Sequence, residues 1–292
     1  MDTAGTKKVL AVHSTPLPSE FAPSAADCGV DNASSKQLSV EYNIDYASCV
    51  GSLIYLGMTR VDIVYAVNKL AKFTHKPGRV HFKAMLHLLR YLQDHPNVGI
   101  RFYSDYMNAP MTKALIAENA LVSHPLFGFS DSSWNDDVEH GHSTGCFIII
   151  FMGGVVDHSS NLPDPVALSS AEAEYNEGCI AFMAVSHLRM FLAELEGIEE
   201  SELPPTPMVF DSKSAIAMGE SYKYTKHTRH IMRRFHYARE GISSNCFIMG
   251  WIRTGVQFAD IGTKNNPGPR HQTLLELIHV KVGNLQAQIQ EG

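Results

Sequence analysis

Four carboxylates in this chain stand where metal-dependent chemistry could be built. Asp131 and Asp211 each follow a short apolar run with the character of a strand. Glu174 lies near the start of a long helical pattern, and Asp260 comes after the last strand-like run. A carboxylate at such a position is costly unless it is solvated or bound to a cation. If the four converge, they would form an oxygen-ligand site for Mg²⁺ or Mn²⁺.

The chemistry expected of such a site is phosphodiester hydrolysis. This reaction needs an activated water, stabilisation of charge at the phosphate and help for the leaving oxygen, and two divalent ions about 4 Å apart supply all three. The five cysteines lack the spacing of a zinc site, so the pattern favours a hard cation. Each acid alone also has an ordinary structural interpretation: a turn residue for Asp131, a helix N-cap for Asp211 and helix-start acids for the other two.

Two glutamates near the start of the long helical pattern compete for one ligand position. Glu174 shares a helical face with Gly178 and Ala181, which are small and point toward the predicted sheet. Glu172 projects on a different face, together with Asn176. We therefore favour Glu174 as the ligand and keep Glu172 as the alternative acid.

The segment 223–239 is basic and contains no acid. In a chain with a net charge of −6 this is a strong local asymmetry. The functional interpretation is a surface that follows the phosphates of a nucleic-acid duplex, and the alternative is a solvated basic helix face. The residues predicted to contact nucleic acid are Lys226, Arg229, His230, Arg233 and Arg234.

The composition is that of an ordinary globular protein. The chain has 292 residues, of which 45% are hydrophobic and 18% charged, enough for one large domain or two small ones. The five scattered cysteines are interpreted as reduced thiols of an intracellular protein, without a distinction between cytoplasm and nucleus. We expect no membrane partner, because no apolar run looks long enough to cross a bilayer and no signal peptide is recognisable.

Hydrophobic periodicity divides the chain into a helical part and a mixed part. Helical patterns run through 46–103. From residue 126 the order strand–strand–strand–helix–strand–helix–helix–strand–helix predicts a mixed α/β sheet with helices on its faces. The predicted divisions are a flexible N-terminal arm (1–45), the helical region (46–103), a linker (104–125), an α/β domain (126–270) and a partly helical C-terminal tail (271–292).

Taken together and in order, these motifs resemble the C-terminal part of a Ty1/copia-type retrotransposon polyprotein. The similarity covers nearly the whole chain after the first dozen residues and comprises a helical connection or thumb region followed by a ribonuclease H domain. The segments that carry it are 46–56, 59–63, 130–134, 166–175, 211–216, 226–231, 257–260 and 263–264.

The resemblance implies a fold, a metal site and a substrate. The fold would be a ribonuclease H-like mixed five-stranded sheet flanked by helices and preceded by the small helical region. By matching position, Asp131, Glu174, Asp211 and Asp260 would bind Mg²⁺ or Mn²⁺ and cleave the RNA strand of an RNA–DNA hybrid endonucleolytically. No Tyr-x-Asp-Asp polymerase motif occurs in the sequence. The resemblance therefore also implies a polymerase palm module as a partner, and an apolar patch for it on the helical region involving some of Leu53, Leu56, Ile63, Leu86 and Leu89.

One stretch departs from the family pattern. Residues 157–165 lack the aromatic and basic residues usual after the third strand. This departure supports an alternative of another class, a catalytically inactive, domesticated ribonuclease H-like module that binds nucleic acid or a partner protein. A DNA integrase or transposase uses the same fold and acids, but the residues around Glu174 and Arg229 fit it less well.

Overall fold

In the computed structural model, the description covers residues 12–118, 124–137, 141–163, 166–220, 232–278 and 280–281. For residues 137, 232–235, 280 and 281 the structure describes the backbone alone.

The first part of the chain is a four-helix unit, and local signals explain where its helices begin. α1 (Asn32–Tyr42) is capped by Asp31, whose carboxylate accepts a hydrogen bond from the backbone N–H of Ser34. α2 (Tyr46–Gly57) is capped in the same way by Asp45. Such caps satisfy N–H groups that have no partner within the helix. α3 (Val64–Ala71) and α4 (Arg79–Asp94) complete the unit. Its core includes Leu53, Ile63, Leu70, Phe82, Met85 and Leu88.

A mixed sheet forms the second part. β2 (Leu126–Asp137), β3 (His142–Phe151) and β4 (Gly154–Asn161) form an antiparallel meander. β5 (Thr206–Phe210) pairs in parallel with β2, and β6 (Phe247–Trp251) pairs in parallel with β5. The resulting order is β4-β3-β2-β5-β6. The predicted fold class, a ribonuclease H-like mixed five-stranded sheet flanked by helices and preceded by a helical region, is confirmed.

Alternating side chains of β3 build a core on each face of this sheet. Ile148 and Ile150 face a core that receives residues from α5 (Pro110–Ala117), α9 (Asp260–Thr263) and α10 (Gly268–Ile278). Phe147 and Ile149 face a second core, formed with α6 (Ser170–Glu196), α7 (Lys213–Glu220) and α8 (Met232–Ser243). This alternation is the period of two that a strand buried on both faces requires.

Three segments that were predicted as arm, linker or tail contain packed structure. The described part of the arm holds α1. The predicted linker holds α5, which begins with Pro110 at its first turn and places Met111 and Leu115 in the sheet core. In the tail, α10 buries Leu274 in the same core, and β7 (Val280–Lys281) pairs with β1 (Val98–Gly99). The tail was predicted to be partly helical, which α10 agrees with, but the burial of Met111, Leu115 and Leu274 depends on tertiary packing.

The four-helix unit rests directly on the sheet and its helices. Val61, just before α3, belongs to the sheet core. Asn68 Nδ2 donates hydrogen bonds to the carbonyl oxygen and the hydroxyl of Ser160 on β4, at 3.0 and 3.1 Å. Lys69 forms an ion pair with Asp136 on β2. The two parts of the molecule therefore share both apolar and polar contacts.

The apolar patch on the helical unit differs from the prediction. Leu53 and Ile63 are buried, because they face the interior of the unit. Leu86 and Leu89 are half-buried, and Leu56 is exposed. The exposed apolar residues around Leu56 on and after α2 are Ile54, Tyr55 and Met58.

The long helix α6 corrects one further expectation. By length and composition it is apolar enough to cross a membrane, contrary to the sequence-based expectation that no segment would be. Central helices of soluble proteins meet the same criterion. Here Tyr175, Cys179 and Phe182 of α6 lie in the core against the sheet, which accounts for its apolar composition.

Candidate metal centre

Asp131 is held inside the sheet. It lies within β2, opposite Cys146 of β3, and not after the end of a strand as the apolar run had indicated. Its side chain is buried, and the hydroxyl of Thr263 donates a hydrogen bond to its Oδ2 atom. The Nε2 atom of Gln257 donates to the carbonyl oxygen of Ser130 at 2.9 Å, which fixes the neighbouring backbone.

Glu174 and Glu172 have separate environments on α6. Ser169 caps this helix, and the Glu172 carboxylate accepts a hydrogen bond from the backbone N–H of Leu168 at 3.2 Å. Glu172 thus turns back onto the helix start, as in a capping box. Glu174 points elsewhere: a carboxylate oxygen of Glu174 lies with ligand atoms of Asp131 and Asp211, all within 4.8 Å of one another.

Asp211 follows β5 directly, at the carboxyl end of a strand that runs parallel to β2. The indole Nε1 of Trp251 donates to its carbonyl oxygen at 3.1 Å, which ties Asp211 to the end of β6. The hydroxyl of Ser212 accepts a hydrogen bond from the backbone N–H of Ala215. Ser212 therefore provides the side-chain cap of α7, and the carboxylate of Asp211 is left to face the other acids.

Two of the three acids, Asp131 and Glu174, are buried close to one another, and Asp211 is half-buried beside them. Glu174 is 6% exposed, and its Oε2 atom has no hydrogen-bond partner among the described residues. Burial, followed by repulsion from Asp131 and Asp211, raises the pKa of Glu174 to about 10. Burial also raises the pKa of Asp131 to about 7, although Lys264 and Thr263 stabilise its charged form. Such raised pKa values are typical of carboxylates in functional sites, including sites that bind a cation.

Asp260, the first residue of α9, lies beside this group without joining it. Its Oδ1 atom is 2.6 Å from Lys264 Nζ, and its Oδ2 atom is 3.1 Å from Arg270 Nη2. Lys264 Nζ is also 3.5 Å from Asp131 Oδ2. The fourth acid predicted from sequence is thus next to the cluster but engaged with two cations of the chain itself.

The donor set fits a hard divalent cation. All of the candidate ligand atoms are carboxylate oxygens, the atoms that Mg²⁺ and Mn²⁺ prefer. One of them, on Glu174, is buried without a hydrogen-bond partner in the described part of the chain. Asp131, Glu174 and Asp211 are the residues that could hold such an ion.

The residues predicted to contact nucleic acid lie where the structure describes no side chains. Lys226, Arg229 and His230 lie outside the described residues. Arg233 and Arg234 lie in the first turn of α8, but their side chains are not described.

Sequence reasoning missed the cations beside Asp260. Lys264 follows Asp260 by four residues, a spacing that brings side chains together on a helix, and this signal was available in the sequence. Arg270 comes from α10, and only the tertiary structure shows that it reaches Asp260.

The sheet order and the position of the acids define a ribonuclease H-like protein, and comparisons with known proteins specify the family. No family model matches the chain. It is 30% identical over 236 residues to the retrovirus-related Pol polyprotein from transposon TNT 1-94 of Nicotiana tabacum, covering 80% of this chain and 16% of that relative. It is 37% identical over 134 residues to the secreted RxLR effector protein 161 of Plasmopara viticola, covering 46% of this chain and 83% of that protein.

Among solved structures, the N-terminal RNase H domain of a Mycobacterium tuberculosis protein is similar, with a TM-score of 0.36 and 12% identity over 53% of this chain and 98% of that one. Over most of its length the chain is homologous to part of the retrovirus-related Pol polyproteins of copia-type transposons. It spans only 16% of the length of the tobacco relative.

Proposed function

We propose that this chain is a divalent-metal-dependent ribonuclease H that cleaves the RNA strand of RNA–DNA hybrids endonucleolytically. The observation that carries the proposal is the convergence of Asp131, Glu174 and Asp211, with a buried Glu174 oxygen lacking a hydrogen-bond partner among the described residues. These acids come from β2, α6 and the end of β5 in a sheet with the ribonuclease H order. The similarity of the chain to part of a Pol polyprotein supports the same activity.

In this proposal the protein supplies a fixed set of oxygen atoms. A divalent ion bound by Asp131, Glu174 and Asp211 would activate water and stabilise negative charge on the phosphate. Thr263 orients the Asp131 carboxylate through its hydroxyl. Gln257 holds the backbone of β2 one residue earlier. Asp260 lies close enough to raise the pKa of Asp131 by repulsion, and so extends the acidic site.

Substrate binding is assigned to the basic segment. We propose that Lys226, Arg229, His230, Arg233 and Arg234 contact phosphates of the hybrid. Contacts of this kind are electrostatic, so binding would weaken as salt is added and would show little sequence preference. A polymerase palm module of the same polyprotein family is the proposed protein partner, and the exposed apolar residues of α2 are where it would dock.

The competing proposal is an inactive ribonuclease H-like module that binds nucleic acid or a protein. The departure from the family pattern at 157–165 favours it, and part of that stretch lies on β4. The retention of the acid cluster opposes it, because a binding module gains nothing from buried acids that repel one another.

A cleavage assay with two matched glutamate variants separates these proposals. The full chain would be incubated with a labelled RNA–DNA hybrid and Mg²⁺ or Mn²⁺, with DNA–DNA and RNA–RNA duplexes as controls. Glu174→Gln should lower the cleavage rate by about 100-fold or more, since it removes a charged ligand from the ion site. Glu172→Gln should keep the rate, because an amide oxygen can still accept the hydrogen bond from Leu168.

If the wild-type chain does not cleave the RNA–DNA hybrid under any of these conditions, the result would favour the inactive module. Equal losses in the two variants would mean that the helix start, and not the Glu174 carboxylate, is what matters.

A further inference from the structure

A lysine ammonium lies between the two aspartates that flank the proposed ion site. Lys264 Nζ is 2.6 Å from Asp260 Oδ1 and 3.5 Å from Asp131 Oδ2. Asp131 also belongs to the acid cluster, which consists of Asp131, Glu174 and Asp211. The Lys264 ammonium therefore contacts one of the carboxylates that would bind the ion. The ammonium thus lies where its positive charge faces two carboxylates.

The two cations beside Asp260 are held differently. Arg270 donates hydrogen bonds to the backbone carbonyl oxygens of Thr254 at 3.0 Å and Gln257 at 3.1 Å, as well as to that of Gly255. These bonds fix its guanidinium to the loop before α9. The described contacts of the Lys264 ammonium are with carboxylates, and its side chain is 40% exposed. Lys264 can therefore move toward solvent by rotation of its side chain, while Arg270 cannot leave without giving up backbone bonds.

We propose that Lys264 is an internal counter-cation that competes with a second divalent ion for the position between Asp131 and Asp260. The free chain would then bind one divalent ion, at Asp131, Glu174 and Asp211. A second ion would bind only when the Lys264 side chain leaves. The inference rests on the proposed function, because both concern the same acids.

The physical basis is competition between cations for the same carboxylates. A positive charge at contact distance attracts a carboxylate more strongly in a partly desolvated site, where the effective dielectric constant is about 20, than in water. Its removal leaves Asp131 and Asp260 with less charge compensation, so that these oxygens become a better site for an added cation. Arg270 remains with Asp260 and keeps the C-terminal helix in place.

Calorimetric titration of the full chain with Mn²⁺ tests the competition without using activity. The neutral variants are Lys264→Gln and Lys264→Met, and Lys264→Arg keeps the charge. Lys69→Gln is the matched control, since Lys69 also forms an ion pair with an aspartate, Asp136, outside the acid cluster. Thermal unfolding in EDTA would be recorded for each variant, so that only folded protein is titrated. Two neutral variants are used in case one of them does not fold.

The wild-type chain, Lys264→Arg and Lys69→Gln should each bind one Mn²⁺. At Mn²⁺ concentrations that load only one ion on the wild-type chain, the neutral Lys264 variants should bind two, because the Kd of their second ion should be at least about tenfold lower than that of any weak second ion on the wild-type chain. One ion of unchanged affinity in the neutral variants would overturn the role of Lys264 and leave the proposed ion site intact. No Mn²⁺ bound by any variant would overturn the ion site and the competition together.

Discussion

In the described part of the chain, a cluster of ionisable side chains in the helical unit can be compared with the acid cluster on the sheet, and the two differ in charge balance. In the first, the Asp62 carboxylate receives hydrogen bonds from Arg60 Nε at 2.9 Å, Arg60 Nη2 at 2.7 Å and the hydroxyl of Tyr91 at 2.7 Å. Tyr91 also lies 3.0 Å from His271 Nε2 on α10, so the cluster joins the helical unit to the last helix. In the second cluster, Asp131 and Glu174 face Asp211.

The comparison separates a structural role from a functional one. The Arg60–Asp62 pair is neutral overall and supplies its own hydrogen bonds, which is what allows buried charges to be tolerated. In the acid cluster, burial and repulsion from Asp131 and Asp211 raise the pKa of Glu174, and the nearby Lys264 does not offset these effects. Removing one partner from the complete cluster would leave a buried charge uncompensated, whereas the incomplete cluster indicates a cation supplied from outside.

Breaking the complete cluster should have the largest effect on stability. Asp62→Asn leaves the Arg60 guanidinium buried without its counter-charge, and loss of one partner of a buried pair costs about 3 kcal/mol or more. Urea unfolding monitored by circular dichroism measures the loss. The control is Glu41→Gln, which removes an exposed pair with Arg79 and should change the unfolding midpoint very little. Equal effects of the two variants would show that burial does not distinguish the pairs.

A substitution that pushes α6 away from β5 should have an intermediate effect on stability. It would also disturb the acid cluster, because these two elements carry two of its residues. A Cβ atom at Gly178 would lie 2.7 Å from Phe210 Cε1, so Gly178→Ala would push apart the elements that carry Glu174 and Asp211. Overpacking of this kind costs about 1–3 kcal/mol. Urea unfolding should show that loss, and Mn²⁺ affinity should fall with it.

Gly51→Ala is the matched control, because nothing lies within 4 Å of a Cβ atom at this exposed helix position. It should be neutral or stabilising, since alanine favours helix more than glycine does. A Gly178→Ala protein as stable as Gly51→Ala would contradict the close approach of α6 to β5.

The smallest effect concerns pH and a buried histidine of the helical unit. Burial lowers the pKa of His81, with nearby Asp27 opposing the shift, and its Nδ1 atom accepts a hydrogen bond from the backbone N–H of Gly78 at 2.9 Å. Below a pH of about 6.5 the unfolded chain binds a proton that the folded chain does not. Stability contributed by neutral His81 is thus present above that pH and lost as the pH falls, by at most about 1.4 kcal/mol per pH unit.

Urea unfolding between pH 7 and pH 5 would measure this slope. His81→Asn keeps an acceptor for Gly78 and removes the titrating group, so its stability should depend less on pH. His75→Asn, at an exposed position, should leave the slope as in the wild-type chain. A slope unaffected by His81→Asn would exclude His81 as its source.

The sequence predicted the fold well where apolar periodicity was strong. The order of strands and the long helix followed from runs such as 146–151 and 171–195. It failed where neighbours decide the structure. β2 continues through polar residues to Asp137 because β3 pairs with it, and the place of α5 in the core depends on the contacts of Met111 and Leu115 with other elements. Tertiary contacts override local propensity in both cases.

The acids could be identified from the sequence because each stands in an unusual local context. Their distances from one another and their ion-pair partners could not be predicted. Spacing favoured Glu174 over Glu172, and the structure brings Glu174 to Asp131 and Asp211. That Asp260 would be held by Lys264 and Arg270 depends on distances between separate elements. No pattern along the chain reports such distances.

The most direct test of the account is thermal unfolding of the wild-type chain and Asp211→Asn, each in EDTA and in Mg²⁺. A ligand that binds only the folded state stabilises it, by about 2.7 kcal/mol at 100 times its Kd. Mg²⁺ should therefore raise the Tm of the wild-type chain by several degrees and leave Asp211→Asn almost unchanged. In EDTA the variant should be as stable as the wild-type chain or more so, because it removes repulsion from the acid cluster. If Mg²⁺ does not change the Tm of the wild-type chain, or if the variant is strongly destabilised in EDTA, the claim that this cluster binds a cation would be contradicted.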